Sequence, residues 1–543
     1  MPSGILGTAL TGLMAFQRSM QTISNNIANV NTDGFSRQNT TLETAPTTFS
    51  RGNYIGNGVN VTNVTRSYDK FISNNVRTSN SSLGEADRFQ TMTKQVDNLM
   101  ANPETGMANA MKSFFNSVNT VASDPTSIPS RQVMVTEAKT LTTQFNNIST
   151  QLDTLRAQNN GYMQTNIDEI NTYTNNIADL NSKISSVTKG GGSQFPNELL
   201  DQRDQLLAKL SENIDISTLA RADGSVDVFV GQGHALISGD SRSVLTLSNS
   251  TTDSMQKDIL MNGMNVNNQF SSGSLAGAVR FRDQVLDPAQ QQLGLVAAGV
   301  GIAFNEVHKQ GIDLNGSAGK DMFTFQPLEV PTYADNLNQG SGSINVTFDR
   351  ASVNQLHASD YKLEYNAGAY SLTRLSDNVK VALPTGGLPA TVDGMVINEI
   401  TPPSGYASFT IRPTYQAARN IDAVITDPKE LAMGTTNNAG DNTNALALAK
   451  LETQNTLLDG QTFSQSYQHM VAQVGASANA AAVSLSAQKA LNNQAVEARA
   501  NFAGVNLDEE AANLIKFQNA YQASSQVISI SRTLFDSLLG AVR

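Results

Sequence analysis

Both ends of this 543-residue chain carry apolar side chains at helical spacing, and a stripe that must be covered at each terminus restricts the fold more than any other feature. At the start, Leu6, Ala9, Leu13, Phe16, Met20, Ile23, Ile27 and Val30 follow an alternating three-four spacing, the pattern of a coiled-coil seam. At the end, Leu507, Ala511, Leu514, Phe517, Tyr521, Ile528, Phe535 and Leu538 fall on one stripe. Asn506 is placed to cap that last helix, with Glu509 as its capping-box partner and Asp508, Glu509 and Glu510 at the positive end of the dipole. Spacing of this kind by itself points first to an ordinary intramolecular bundle; terminal helices that fold when they meet a partner are the alternative, because ordering a helix costs backbone entropy that only full burial of its stripe offsets.

Between the stripes the pattern changes several times. Asn31-Thr32-Asp33-Gly34 supplies turn chemistry, Gly34 taking the positive φ that ends a helix cheaply, and irregular or extended chain follows to about Arg66. Helical spacing returns at Phe89, Met92, Val96 and Leu99 and at Met111, Phe114, Val118 and Val121, broken by Asn102-Pro103 and Asp124-Pro125. From Val135 to Ile184 the seam reads as one long helix with a register shift near Tyr162. Gly190-Gly191-Gly192 reads as a flexible joint after it, and Leu199 to Leu210 as a shorter helix. Strand patterns occupy Val226 to Val230 and Val244 to Leu247. Helix resumes from Leu275 to Val307 with Asp287-Pro288 as N-cap and N1 of its second half, strands recur from Phe323 to Pro413, and helix formers dominate from about Asn420.

These observations predict an α+β multidomain protein: a discontinuous long-helix bundle built from both termini and the middle, with two β-rich outer domains inserted. The expected division is helical core over 1–212, a β-rich domain over 213–273, a helical return over 274–322, a second β-rich outer domain over 323–418 and the C-terminal part of the core over 419–543.

Composition narrows the chemistry. With 0 Cys there is no thiol redox, disulfide or Cys-ligated zinc chemistry. A net charge of −11 repels nucleic acid and anionic lipid, and no apolar run is long enough to span a membrane. Charged residues are only 15%, and the abundant Asn, Gln, Ser and Thr suggest a surface tolerant of contact with copies of itself. The N-terminus, Met1-Pro2-Ser3-Gly4-Ile5-Leu6-Gly7, has no basic or apolar signal-peptide regions. The histidines His234, His308, His357 and His469 lie far apart and in no metal-binding spacing. Asp313-Leu314-Asn315-Gly316-Ser317 starts like a calcium loop without completing its ligand set and reads as a turn. The carboxylates Asp201 and Asp204, beside Arg203, read as a solvated helix face. No catalytic residue, cofactor or metal site is expected. Asn29 and Arg37, flanking the Asp33-Gly34 turn, fit specific contacts between subunits and fit local turn capping equally well.

Residues Ser24 to Gln38, reading SNNIANVNTDGFSRQ, closely resemble the N-terminal signature of the flagellar axial proteins, the rod, hook and hook-associated subunits. Gly504 to Leu514, GVNLDEEAANL, with Phe517 to Ala523, FQNAYQA, resembles their C-terminal signature. Phe35 stands where the family often has Tyr, and Ala503 where Ser often precedes the Gly. Asn197 to Asp204, with Phe281-Arg282-Asp283 and Asp313 to Gly316, is similar to the members that join hook to filament rather than to the shorter rod proteins. The resemblance implies a structural subunit whose terminal helices pair, with Leu6, Leu13, Phe16, Met20, Ile23, Ile27, Asn29, Val30, Gly34, Arg37, Leu507, Leu514, Phe517, Tyr521, Ile528, Phe535 and Leu538 as its assembly interface. It further implies self-association in a ring, contacts with the hook protein and with a second junction protein on the filament side, an export chaperone on the C-terminal helices, and secretion to the flagellum without a cleavable signal. Two alternatives attach to the middle domains, a peptidoglycan hydrolase and a surface adhesin, the latter motivated by the Tyr-bearing segment Tyr361 to Tyr370.

Overall fold

The computed structural model describes residues 2–50, 53–101, 106–189, 196–231, 233–250, 255–325, 332–335, 338, 342–384 and 387–542. The helices are α1 (Pro2–Ala28), α2 (Lys70–Met100), α3 (Met107–Ser123), α4 (Ile128–Lys189), α5 (Asn197–Asn213), α6 (Ser274–Phe281), α7 (Asp287–His308), the short α8 (Ala417–Asn420), α9 (Thr443–Lys450), α10 (Phe463–Ala503) and α11 (Leu507–Val542).

The long-helix reading holds in α4, which spans 62 residues. It buries Val135, Ala138, Leu141, Phe145, Ile148 and Leu152 at one end and Met163, Ile167, Ile170, Ile177 and Ile184 at the other. Asn159, which also faces inward, lies between the two runs, where the seam shifts register. Helices α2 and α10 run antiparallel, tied by Asn492 donating to Asn80 at 2.6 Å and by the Tyr467 hydroxyl donating to Met100 O at 3.2 Å.

Two apolar cores result. One gathers α3, α7, α9, the first half of α4 and the start of α10, with Phe114, Phe304 and Phe323 packed at ring separations of 5.3 to 5.7 Å, and continues into the outer sheets. The other joins Met163 to Ile177 of α4 with Leu207 and Leu210 of α5, Val228, Leu236, Ile237 and Ile259 of the strands, and Leu275 and Ala278 of α6.

The strands between α5 and α6 form a four-stranded antiparallel sheet (Ile216–Ala220, Val226–Val230, His234–Ser238, Ser241–Arg242) and a three-stranded one centred on Lys257–Met261. Side-chain amides of α4 bracket these strands: Asn171 exchanges hydrogen bonds with both backbone groups of Leu245, and Asn181 does the same with Val226. Beyond Phe323 a five-stranded antiparallel sheet holds Tyr361–Asn366 and Ala407–Ile411 at its centre, beside a three-stranded sheet built on Met395–Thr401. Tyr361–Asn366 and Ala369–Arg374 meet through Ala367 (φ +50°) and Gly368 (φ +88°), a two-residue turn whose backbone twist matches the strands.

Several local expectations change. From Gln38 to Arg66 the extended alternative is the one seen, and its strands pair, which the spacing did not show: Gln38–Thr44 runs antiparallel to Val59–Arg66, and a smaller hairpin joins Thr48–Ser50 to Asn53–Ile55. Asp287 is not an N-cap; it has helical φ −64° and ψ −47°, because a π-helical turn at Arg282–Leu286 carries the chain from α6 into α7 and accommodates Pro288, which lacks an N–H. Helix does not return directly at Asn420, since Ile421–Ala423 first pairs with Phe323–Phe325. The segment motivating the adhesin reading is not an exposed tyrosine surface: Tyr361 is fully buried and donates to Asp393 at 2.9 Å, and the half-buried Tyr365 and Tyr370 pack in a tilted pair with ring centres 4.8 Å apart. The Gly190-Gly191-Gly192 joint lies outside the described residues.

Candidate assembly interface

Helices α1 and α11 pair antiparallel: Asn26 meets Glu510, Phe16 approaches Phe517 at 6.1 Å, and a Cβ on Gly12 would lie 3.4 Å from Ser524 Oγ. The buried positions of α1 are mostly small or polar, Ala9, Gly12, Ala15, Ser19, Thr22, Ile23 and Asn26, which lets the two backbones approach closely. The larger residues of the expected seam flank this stripe. Of them, Leu13, Phe16, Met20 and Ile27 are half-buried, Ile23 is buried and Leu6 is 44% exposed. On α11, Leu514, Phe517, Tyr521 and Ile528 are half-buried towards α1, whereas Leu507 and Phe535 are exposed; the Leu538 side chain lies outside the described residues.

The base of the pair is closed by a polar clasp. Asn26 is buried; its Nδ2 donates to Gln38 O at 2.9 Å and to Glu510 Oε2 at 3.0 Å, while its Oδ1 accepts the Gln38 N–H at 2.9 Å. Arg37 reaches Glu509 at 2.6 Å and Glu510 at 2.7 Å, and its backbone N–H donates to Ala503 O at 2.8 Å. Arg37 is thus an intramolecular link between the two termini. Asn506 caps α11 by accepting from the N–H groups of Asp508 and Glu509. The Glu509 carboxylate, expected to complete a capping box, turns to Arg37 instead.

Asn29 makes local hydrogen bonds at the end of α1, donating to Asn25 O and Oδ1, each at 2.9 Å. Val30 is half-buried in the turn after α1, and Gly34 adopts φ +81° against the Gln205 side chain, whose Nε2 donates to Asp33 O.

The carboxylates read as a solvated face are part of this site. Arg66, not Arg203, lies between Asp201 at 2.8 Å and Asp204 at 2.7 Å, and Asp201 also accepts the Ser36 N–H at 3.0 Å. Burial disfavours the Arg66 charge, yet Asp204 and Asp201 hold its guanidinium above the ordinary range. Arg203 points the other way, donating to Asn181 and to Gly224 O. Asn26, Gln38, Arg66, Asp201 and Glu510 are therefore functional candidates that sequence reasoning missed. Asn26, Gln38 and Glu510 lie within the two terminal signature stretches and Asp201 within Asn197 to Asp204, whereas Arg66 carried no signal.

Around the clasp, apolar surface faces water. Among the described residues α1 packs on α11 and on the strands Gln38–Thr44 and Val59–Arg66. Beyond those contacts Ile5 (54%), Leu10 (44%), Met14 (58%), Ile515 (59%), Ile530 (56%) and Leu534 (55%) are exposed, as are Phe49 and Tyr54 on the small hairpin and Phe71 at the start of α2. That many large apolar side chains on one pair of helices exceeds ordinary surface scatter.

Four family profiles match the chain. Residues 93–323 match the flagellar hook-associated protein FlgK helical domain and 333–413 the flagellar hook-associated protein 1 D2-like domain. Residues 6–35 match the flagella basal body rod protein and 499–541 the flagellar basal body rod FlgEFG protein C-terminal region. Flagellar hook-associated protein 1 of Escherichia coli K12 is 32% identical over 99% of both chains. The protein of that name from Salmonella typhimurium is 31% identical over the same shares, and that from Bacillus subtilis 24% identical over 99% of this chain and 98% of its own. The solved structure of the flagellar hook junction protein FlgK from Burkholderia pseudomallei superposes with a TM-score of 0.72 at 22% identity, covering 78% of this chain and 99% of that one, and so shares the fold.

Proposed function

Because this chain belongs to the flagellar hook-associated protein 1 family, we propose that its antiparallel terminal pair, α1 with α11, is the surface through which it is built into the junction between hook and filament. The chain is a structural protein of the bacterial flagellum and not an enzyme. The hydrolase alternative has no support: the middle segments align with the helical and D2-like domains of hook-associated proteins.

The observation that carries the interface is the apolar surface left on the terminal pair, Ile5, Leu6, Leu10 and Met14 beside Ile515, Ile530 and Leu534. Copies of this chain arranged in a ring cover it laterally, with the hook protein on one side and a second junction protein on the filament side. Before assembly an export chaperone shields the C-terminal helices, and the chain leaves the cell without a cleaved signal peptide. We assign the helical parts to 1–212, 274–322 and 419–543, with the β-rich units at 213–273 and 323–418 inserted between them. Removing Met1 to Val30 tests this reading: the remaining helices and sheets fold, and incorporation into flagella is lost. Normal incorporation of the truncated chain would overturn it.

A further inference from the structure

The two apolar cores do not merge, and what separates them is polar. Arg88 of α2, Arg156 and Asn159 of α4 and Arg282 of the π turn form a belt across the molecule. Asn159 Nδ2 donates to Ala278 O at 3.0 Å and its Oδ1 accepts from Arg88 at 3.2 Å. The Arg88 guanidinium stands 3.6 Å above the Tyr162 ring, Arg156 donates to Gln290 at 2.9 Å and to Asp287, and Arg282 donates to Lys257 O at 2.8 Å. Nε of Arg88 and both Nε and Nη1 of Arg156 are buried with no hydrogen-bond partner among the described residues. The belt therefore holds spare donors that a second arrangement can use, whereas an interdigitated apolar layer has no such reserve.

Helices α2 and α10 cross this plane as unbroken α-helices, which can curve gently over their length, whereas the other two runs that cross it are weakened within it. The α6 to α7 run passes through the π turn Arg282–Leu286, a common site of helix bending. In α4 the weak point is Gly161, two residues after Asn159. A Cβ there would meet nothing within 4 Å, so no close packing requires glycine, which is a poor helix former. The contrast is with Gly84, Gly277 and Gly294, where a Cβ would fall 2.3, 2.5 and 1.7 Å from a neighbouring carbonyl oxygen. A cleft of 530 Å³ opens beside the belt between α2, α5 and α10, lined by Leu83, Arg88, Tyr162, Glu212, Leu485 and Lys489.

We propose that this belt is a bending plane. The half that holds the terminal clasp, α5 and the first β-rich unit tilts against the half that holds α7, α9 and the outer sheets, by flexing α4 at Gly161 and the α6 to α7 run at its π turn. A protein that links two assemblies gains from such a joint, since its clasped end stays seated while its outer half follows a different tilt.

The natural chain has 0 Cys, so paired cysteines introduced into the full-length protein carry spin labels at defined sites. Lys380→Cys with Thr246→Cys spans the belt; Lys380→Cys with Asn147→Cys stays on the outer side and Thr246→Cys with Asp179→Cys on the inner side, all at exposed positions. Double electron-electron resonance is expected to give a distance distribution at least twofold wider for the spanning pair than for either control, narrowing to the control width in Gly161→Ala. A spanning pair as narrow as the controls, an outer control as wide as the spanning pair, or a width unchanged by Gly161→Ala would each overturn the proposal.

Discussion

Asn26 is where the two ends of the chain meet chemically, one amide serving the Gln38 backbone in both directions and a buried Glu510 carboxylate 484 positions away. Asn26→Ala leaves those groups unpaired, and at about 2 kcal/mol for a buried polar group losing its partner, local opening of the clasp should rise roughly 30-fold. Amide exchange at Ile27 and at Gln38 reads this directly. Elsewhere, His308 is buried and neutral, donating from Nδ1 to Lys320 O while Nε2 accepts the Ala432 N–H at 2.9 Å. Burial, above all, pushes its pKa below the ordinary 6.5. The unfolded chain therefore takes up the proton first: the contribution to stability is full above about pH 6.5 and is lost as pH falls through the range down to the depressed folded value. Urea melts from pH 7.5 to 5 should show this slope in the natural chain, and a much smaller one in His308→Gln. Little of this was legible in the sequence. The Asn-rich composition suggested a self-tolerant surface, yet Asn26, Asn171 and Asn181 act as internal brackets, because an amide can replace a strand edge wherever the fold brings one. The Arg66 and Asp201 pair spans 135 positions with nothing local to announce it.

Helices were the most readable elements because their stripes are local. Val135 to Ile184 announced α4, and the register shift near Tyr162 marked where its two apolar runs separate. The terminal stripes announced α1 and α11 but not which face would be buried, since small residues carry little hydrophobic signal and Ala9, Gly12 and Ala15 win by close approach. The outward Leu6, Leu10 and Met14 then have no role within the chain. Leu6→Ser, Leu10→Ser and Met14→Ser together should leave the melting of the middle helices within about 0.5 kcal/mol, as surface changes do, while reducing incorporation into flagella to background. The π turn was not legible, because Asp-Pro inside an apolar period looks like a helix start. The hairpin above the strands was missed as well, and its seating is tight: Gly58 has φ +91°, and a Cβ there would lie 2.2 Å from Thr11 Oγ1. Gly58→Val should therefore part Val59 from α1 and raise exchange of the Val59 and Asn60 amides, with α4 unaffected.

Across the whole molecule, two apolar cores lie along α4, and among the described residues the clasped terminal pair contributes to neither of them. The alternation of helical and strand periods conveyed the class, whereas the division into two cores depends on contacts between segments far apart in sequence, which periodicity does not register. The central claim is that the terminal pair becomes fully buried only in the assembled flagellum, and amide hydrogen exchange of the free protein against the assembled one tests it most directly. The account predicts strong protection of α4 and α7 in both states. It predicts fast exchange over Leu6 to Met20 and over Leu514 to Phe535 in the free protein, with that exchange slowing by orders of magnitude on assembly. Protection of those two segments equal to α4 in the free chain, unchanged on assembly, would contradict it.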